Sequence, residues 1–549
     1  MATIGTCAQI ATNLPKRELR AVWLTTINNL DWPDTKATSP QTIDRQKKEL
    51  TDILDRLKAA NFNAVVLQTR IRGTVIYPSA IEPMDPCITG TFLPPQSPSL
   101  LTPNSSLLTP NSSLLTPNSS LLTPNSSLLT PPYDPLAFAI EECHKRGMQL
   151  HAWVVAIPGN KATQLKALGP HALSKRVPHL VIKTSEGNML DPGIPETAEY
   201  LASICEEIVT RYDIDGLNFD YIRYPEKEIR FNDAATYRKY AQPGQSLADW
   251  RRSNTNRIVQ LIHDRVKAIK PWVAISCSPV GKYADTQRYS AGGWNALNAV
   301  SQDAKLWIKQ GWMDILMPMM YFRGNNYYPF ALDWQEDSYG RTIASGLGVY
   351  QIDRSQQNWP LAEMERQINY CRQHGLGGQV FFRSRFITDN TKGIYDLLQR
   401  NLYRTPALPP PLTGDSLPVP DPPTNGRIEQ TPNGILLSWS PGLPLEGDER
   451  GSFQSSILNG QSSMVNGQYS YVLYRSSTYP VDTEDPNNIY KVLGPTPNSS
   501  LLTPHSSLPL PFLPYYAVTA VNRYGKESAP LELNIPFEPR KFTTLQNNK

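Results

Sequence analysis

Between residues 17 and 404 the chain alternates short, nearly continuous apolar runs with longer segments whose apolar residues recur at helical spacing. The runs are LRAVWLTT (19–26), NAVVLQTR (63–70), MQLHAWVVAI (148–157), IDGLNFDYI (214–222), WVAISCSP (272–279), MDILMPMMYF (313–322), TIASGLGVY (342–350) and GGQVFFRS (377–384). Each precedes a helix-compatible stretch, such as IDRQKKELTDILDRLKAA after the first and segments near 196–211 and 250–269 further on. Strands that are apolar on both faces and separated by helices belong to a parallel sheet covered by those helices. Eight such units in under 400 residues predict a closed (β/α)8 barrel, an α/β fold. No G-x-G-x-x-G follows any of the runs, so an open dinucleotide-binding sheet is not expected.

Two departures from this pattern mark insertions. From Leu100 to Pro131 the heptapeptide LTPNSSL repeats with threonines at 102, 109, 116, 123 and 130. A proline in every repeat removes a backbone donor and clashes inside a helix, so the seven-residue period predicts disorder or loose polyproline-like chain over 98–132, not a coiled coil. The element returns within 495–511, as a second loop insertion. Residues 1–16 read as a tail, 17–404 as the barrel and TPALPPPLTGDSLPVPDPPT (405–424) as a semi-rigid linker. Beyond it NGILLSWSP, YSYVLYRS and YYAVTAVNRYGKESAP alternate with period two, which predicts a small all-β sandwich over 425–540. These strands resemble a fibronectin type III domain, with Trp439 and Tyr474 in its core positions.

Charge names no partner: 53 Lys and Arg against 49 Asp and Glu give +4, too small a field to attract nucleic acid. No stretch reaches the roughly 18 apolar residues of a membrane span. The N-terminus lacks a basic region followed by an apolar run, so no secretory signal is visible and the chain as written reads as cytoplasmic. Six scattered cysteines and seven histidines show no metal-ligand spacing, and no cofactor motif occurs, so neither metal nor cofactor is expected. Cys143, Cys205, Cys277 and Cys371 fall inside expected helices and strands and read as buried free thiols. The oligomeric state is not addressed by any of these features.

The chemistry concentrates in DGLNFDYIRYP, residues 215 to 225. Alternation puts Gly216, Asn218 and Asp220 on one face, and Leu217, Phe219 and Tyr221 on the other. Asp220 is then the last acid before the chain leaves the barrel, at the end where (β/α)8 barrels keep their sites. It can serve as nucleophile, general base or charge stabiliser, with Arg223, Tyr221 and Tyr224 beside it; a structural Asp220–Arg223 pair is the alternative. Asp215 begins the strand and reads as structural. Other strands end in polar or aromatic residues: Arg70, His151 and Trp153, Ser276 and Ser278, Tyr321 and Arg323, Arg383 and Arg385. Converging on one rim, they imply a polar pocket in which Trp23, Trp153 and Tyr321 suit stacking against sugar rings. LDPGIPETAEY (190–200) adds Asp191 in a turn and Glu196 in a first helical turn, where capping explains both as well.

Five stretches in order, RELRAVWLTTINNLDWP (17–33), IYPSAIEPM (76–84), YDPLAFAIEECHKRGMQLHAW (133–153), LDPGIPE (190–196) and YDIDGLNFDYIRYP (212–225), resemble the glycosyl hydrolase-like 10 family. The resemblance covers roughly 17 to 400. It implies a barrel glycosidase-like domain, with cell-wall glycan as the substrate class of some members and an envelope or periplasmic setting. Carried over by position, it makes Asp220 the rim acid, puts Tyr221, Arg223 and Tyr224 around it, and draws Arg20, Arg70, His151, Trp153, Asp191 and Tyr321 into matching motifs. The chain departs from the family pattern in VVAIPGN after Trp153, where an Asn-Pro pair is common, and at Met319, where glutamine is frequent.

Together these features predict a glycoside hydrolase acting on peptidoglycan-like or other polysaccharide chains through paired carboxylates. Asp220 is the first carboxylate; Asp191, Glu196 and Glu82 are candidates for the second, and Asn218 joins the substrate-binding set. The alternative is a glycan-binding protein without catalysis, attached through its fibronectin-like module.

Overall fold

The computed structural model describes residues 14–96, 131–414, 417–431, 434–442, 469–494, 499–502 and 515–534. The heptapeptide stretch expected to be disordered lies outside the described residues between 97 and 130, as do Cys7 and most of the N-terminal tail. The chain divides into two units, one running to Leu417 and including Arg523–Gly525, the other comprising Pro418–Asn522 and the chain from Lys526.

Among the described residues of the first unit ten strands form. Eight of them, β1 (Leu19–Leu24), β2 (Ala64–Arg70), β3 (Gln149–Val155), β6 (Gly216–Asp220), β7 (Ala274–Cys277), β8 (Ile315–Leu316), β9 (Thr342–Leu347) and β10 (Gly378–Phe382), close into a barrel in chain order. Every barrel pairing is parallel. The other two, β4 (Val181–Thr184) and β5 (Gly187–Leu190), make an antiparallel hairpin inserted after β3. The eight apolar runs expected to be strands are thus the barrel strands.

Helices between strands are stopped and started by local chemistry. Ser39 caps Pro40–Ala59 by accepting from the Thr42 N–H, Asp134 caps Pro135–Lys145, and Ser246 caps Leu247–Ile269. Their apolar stripes meet the outward side chains of the strands, Val22, Val65, Leu150 and Leu217 among them, in one large core.

A second, smaller core fills the lumen, where Leu19, Ala21, Trp23, Val66, Trp153 and Met317 interdigitate. This layer sets the floor of the site. Gly216 belongs to it by necessity: a Cβ there would lie 2.3 Å from Nδ1 of His151, its register partner on β3. Above that layer, Trp153 pairs in register with Asn218, and Val155 with Asp220.

The start of the proline-rich stretch expected as a linker runs beside β1 in the barrel unit: the Glu18 N–H donates to Leu408 O at 2.8 Å, and Leu408 N–H to Lys16 O at 2.9 Å. Cys87, Cys143, Cys205, Cys277 and Cys371 are buried free thiols, in line with the sequence expectation for the four it named.

The second unit holds a three-stranded and a four-stranded antiparallel sheet. Leu437, Trp439, Tyr471, Leu473 and Val518 share one core, and Tyr474 is fully buried, as a small all-β sandwich requires. Part of the second heptapeptide copy differs from the expected loop insertion: Ser499–Leu502 forms a strand paired with 435–438. Backbone hydrogen bonding to an available sheet edge supplies a reason for order there that composition does not reveal.

Candidate active site

Strand β6 carries GLNFD, and its alternation is realised in space. Leu217 and Phe219 join the outer core, while Asn218 and Asp220 face the lumen. Asn218 is buried and satisfied there: its Oδ1 accepts from Ser278 Oγ at 3.0 Å and from Trp23 Nε1 at 3.4 Å, and its Nδ2 donates to Ser276 Oγ at 3.0 Å. Asp220 ends the strand. The next residue, Tyr221, turns into the left-handed region at φ 52°, and its N–H donates to Asp220 Oδ1 at 2.8 Å. The turn leaves the Tyr221 ring 37% exposed, with the Arg223 guanidinium 4.6 Å from its centroid.

Two aspartates five residues apart end up in opposite states. Burial opposes the charge on Asp215, but the His144 imidazole at 2.9 Å and the Leu150 N–H at 2.8 Å hold its carboxyl well below the usual range. Burial also pushes Asp220 up, from 3.8 to about 6, and there Arg223, the Tyr221 N–H, Trp153 and Arg72 only partly counter it. Asp215 therefore stays an anion that fastens the start of β6, while Asp220 titrates near neutrality, as a group that both gives and takes protons must. If Asp220 delivers a proton in the reaction, its protonated form is the active one. The kcat/KM profile of the free enzyme is then expected to fall about tenfold per pH unit above about 6, and Asp220→Asn should abolish that limb. A flat profile between pH 5 and 8 would contradict the assignment.

Aromatic residues wall the space around this acid. Tyr321 stacks on Phe382 with centroids 5.6 Å apart, and Tyr350 and Trp23 pack edge-on against the same pair. Burial and the nearby Asp220 raise the Tyr321 pKa far above its ordinary value, so its hydroxyl remains a neutral donor. The Trp153 indole lies near enough to Asp220 to favour its ionised form.

Next to Asp220 along the chain a cavity of about 280 Å³ opens, lined by Arg72, Glu186, Tyr221, Arg223, Tyr224 and Glu226 among others. Arg223 donates to Glu226 Oε1 at 2.6 Å, but its buried Nε has no partner among the described residues. Arg72 makes only a loose 4.0 Å pair with the half-exposed Glu186. Burial would raise the Glu226 pKa, but the Arg223 hydrogen bond and charge outweigh it and hold the carboxylate ionised.

The structure brings together Trp153, Asn218, Asp220, Tyr221, Arg223, Tyr224 and Tyr321 from the expected set. Tyr224 is buried; it lines the cavity and its hydroxyl accepts from Asn254 Nδ2 at 3.1 Å. Five expected residues lie elsewhere. His151 sits one layer deeper in the lumen, against Gly216, kept neutral by burial with a pKa of about 4. Arg20 points away from the lumen because its neighbours Leu19 and Ala21 face in; it pairs with Glu18 and stacks on Tyr403 in the helix layer. Asp191 is buried in its own loop, accepting from the Gly193 N–H at 2.9 Å and the Thr236 hydroxyl at 2.8 Å, whereas Glu196 is exposed on the first turn of Pro195–Arg211. Arg70 directs its guanidinium to Glu82 and to the carbonyls of Val155 and Ala156, which also engages Glu82 in a fully buried pair. Sequence reading passed over Arg72, Glu226, Tyr350 and Phe382. Glu226 had a signal, as the carboxylate directly after Tyr224-Pro225; Tyr350 and Phe382 lie within apolar runs and carry no charge to notice. Among the described residues no cluster of three or more His, Cys, Asp or Glu is arranged to hold a metal.

A parallel (β/α)8 barrel with a buried titrating acid at the C-terminal end of a strand has the architecture on which glycosidases are built. The sequence profile of the glycosyl hydrolase-like 10 family matches residues 18–96 and 105–360, and the chain belongs to that family. It is 31% identical over 442 residues to the glycosyl hydrolase YngK of Bacillus subtilis (strain 168), covering 77% of this chain and 79% of that protein. With the glycosyl hydrolase DigH of Escherichia coli (strain K12) it shares 29% over 415 residues, 70% of this chain and 87% of the relative. Among solved structures, the PgaB (BpsB) glycoside hydrolase domain from Bordetella bronchiseptica superposes with a TM-score of 0.43 at 14% identity, over 70% of this chain and 98% of that one.

Proposed function

We propose that the barrel hydrolyses glycosidic bonds within a cell-wall polysaccharide of the peptidoglycan type, with Asp220 as its acid/base group. The observation that carries this reading is the placement of Asp220: a carboxyl at the end of β6, raised to about 6 by burial, beneath the Tyr321–Phe382 wall. Such a group can protonate the leaving oxygen as an oxocarbenium-like transition state develops. Its partner is Glu226. The pair fits the general pattern of two carboxyls driven apart in pKa, one raised to about 6 by burial and one kept ionised by Arg223. Arg223 Nε, a buried donor without a partner among the described residues, would hold substrate hydroxyls or a carboxylate. A sugar bearing an ether-linked carboxylate suits the Arg72 and Arg223 side of the cavity, which favours peptidoglycan over neutral glycans. The two C-terminal sheets serve as a fibronectin type III-like module, over 425–540, for spacing or attachment.

Incubating purified protein with denuded peptidoglycan strands and analysing released fragments tests this directly. Glu226→Gln is expected to lower release about 100-fold or more. Release at the wild-type rate by this variant would remove Glu226 from the mechanism. Binding of the strands without release by the wild type would leave the non-catalytic glycan-binding reading in its place.

A further inference from the structure

Of the six large apolar side chains exposed among the described residues of the barrel unit, four lie in loops that follow strands, while Leu247 starts a helix and Tyr339 precedes β9. Leu30 follows β1, Tyr221 follows β6, and Tyr289 and Trp294 lie in the long loop after β7, at 38% and 41% exposure. Exposed aromatics gathered on one functional face mark a contact surface, whereas scattered ones need no explanation.

The loop bearing Tyr289 and Trp294 has a rigid base. Its buried Lys282 donates to Asn326 Oδ1 at 2.7 Å and lies over the rings of Phe322 and Phe330, 5.2 and 5.1 Å from their centroids. The Trp334 indole donates to Gly281 O at 2.9 Å, and a Cβ on Gly281 would stand 2.3 Å from Met319 O, so the loop passes against the backbone after β8. Val280, Ala296 and Val300 close a small core beneath it. Above this base, Gly292 and Gly293 adopt left-handed conformations with nothing near the position of a Cβ, and Trp294 follows them into the open. The Trp294 ring meets Phe322 edge-on at 6.2 Å, and Phe322 in turn packs against the outer core.

We infer that Trp294, with Tyr289 beside it on the same loop, is a stacking platform for sugar rings remote from the cleaved bond, and that the substrate is therefore an extended chain and not a terminal sugar. This rests on the glycosidase reading above and adds to it where the chain lies. The apolar faces of pyranose rings match exposed indole and phenol rings, and a platform on a pinned loop binds without ordering a mobile segment. An exo-acting enzyme would have no use for a platform beyond the reach of the first sugars.

Binding and turnover of size-fractionated denuded glycan strands decide it. Trp294→Ala is expected to weaken binding and raise KM about tenfold for long strands, with a much smaller effect on chains of two to four sugars. Trp294→Phe, which keeps a stacking face, should restore most of the loss, and an unchanged Tm would show that the variant is folded. Equal effects on short and long chains, or none, would overturn the platform while leaving hydrolysis intact. Failure of the wild type to bind any fraction would overturn the proposed function, and the platform with it.

Discussion

Asp220→Asn is expected to reduce hydrolysis at least about 1,000-fold while making the barrel more stable at neutral pH. Both effects come from one feature. The carboxyl is held at the end of β6 in a buried place, and its pKa rises from 3.8 to about 6. Between those values the folded state binds the proton more tightly than the unfolded state, so this group's contribution to stability falls as pH rises from about 4 to about 6. Above that range the folded protein carries the full cost of a buried anion, about 3 kcal/mol. Asparagine removes the charge, keeps an oxygen to accept from the Tyr221 N–H, and loses the proton the chemistry needs. Melting curves of both proteins at pH 4 and pH 7, beside glycan release assays, check the pair of effects. The stability gain should appear at pH 7 and shrink at pH 4. An active, unstabilised variant would refute the role of Asp220 and its electrostatics together.

Breaking the Arg70–Glu82 pair is expected to destabilise the barrel unit by about 3–5 kcal/mol. Both side chains are completely buried, joined by two hydrogen bonds of 2.8 Å, and Glu82 also accepts from the Tyr200 hydroxyl at 2.7 Å. Burial opposes both charges, yet the Glu82 carboxyl is held below its ordinary value and Arg70 above its own because each has the other. Glu82→Gln leaves a guanidinium with no counter-charge of equal quality. Arg70→Met strands the carboxylate and also frees the Val155 and Ala156 carbonyls where β3 leaves the barrel. The double variant Arg70→Met, Glu82→Met should recover a large part of the loss, since two apolar side chains need no partner. Urea denaturation of the three variants reads the difference; additive losses in the double variant would show that the pair is not coupled.

The barrel was legible before any coordinates because its strands are apolar on both faces. That pattern has few structural solutions, and all eight expected runs became barrel strands. Asp220 was legible for a related reason: strand polarity and alternation place the last acid of GLNFD at the rim and toward the lumen. The same alternation should have excluded Arg20, whose flanking Leu19 and Ala21 fill the lumen and turn it outward. Asp191 and Glu196 looked available because a turn and a helix start tolerate both a cap and a catalytic group, and only hydrogen bonds across the loop distinguish the two.

What the sequence determined by itself is the architecture and the acid: local periodicity and strand order suffice for both. Tertiary structure alone decided which groups surround that acid. Trp23 reaches Asn218 across 195 residues of chain, and Phe382 meets Tyr321 from a different strand. It also decided the protonation of the two aspartates in DGLNFD. Burial opposes the charge on both, and the favourable partners set around Asp215, His144 first among them, separate a fixed anion from a carboxyl that titrates near neutrality. Charge states depend on distances between groups brought together by barrel closure, and a linear pattern contains no such distances.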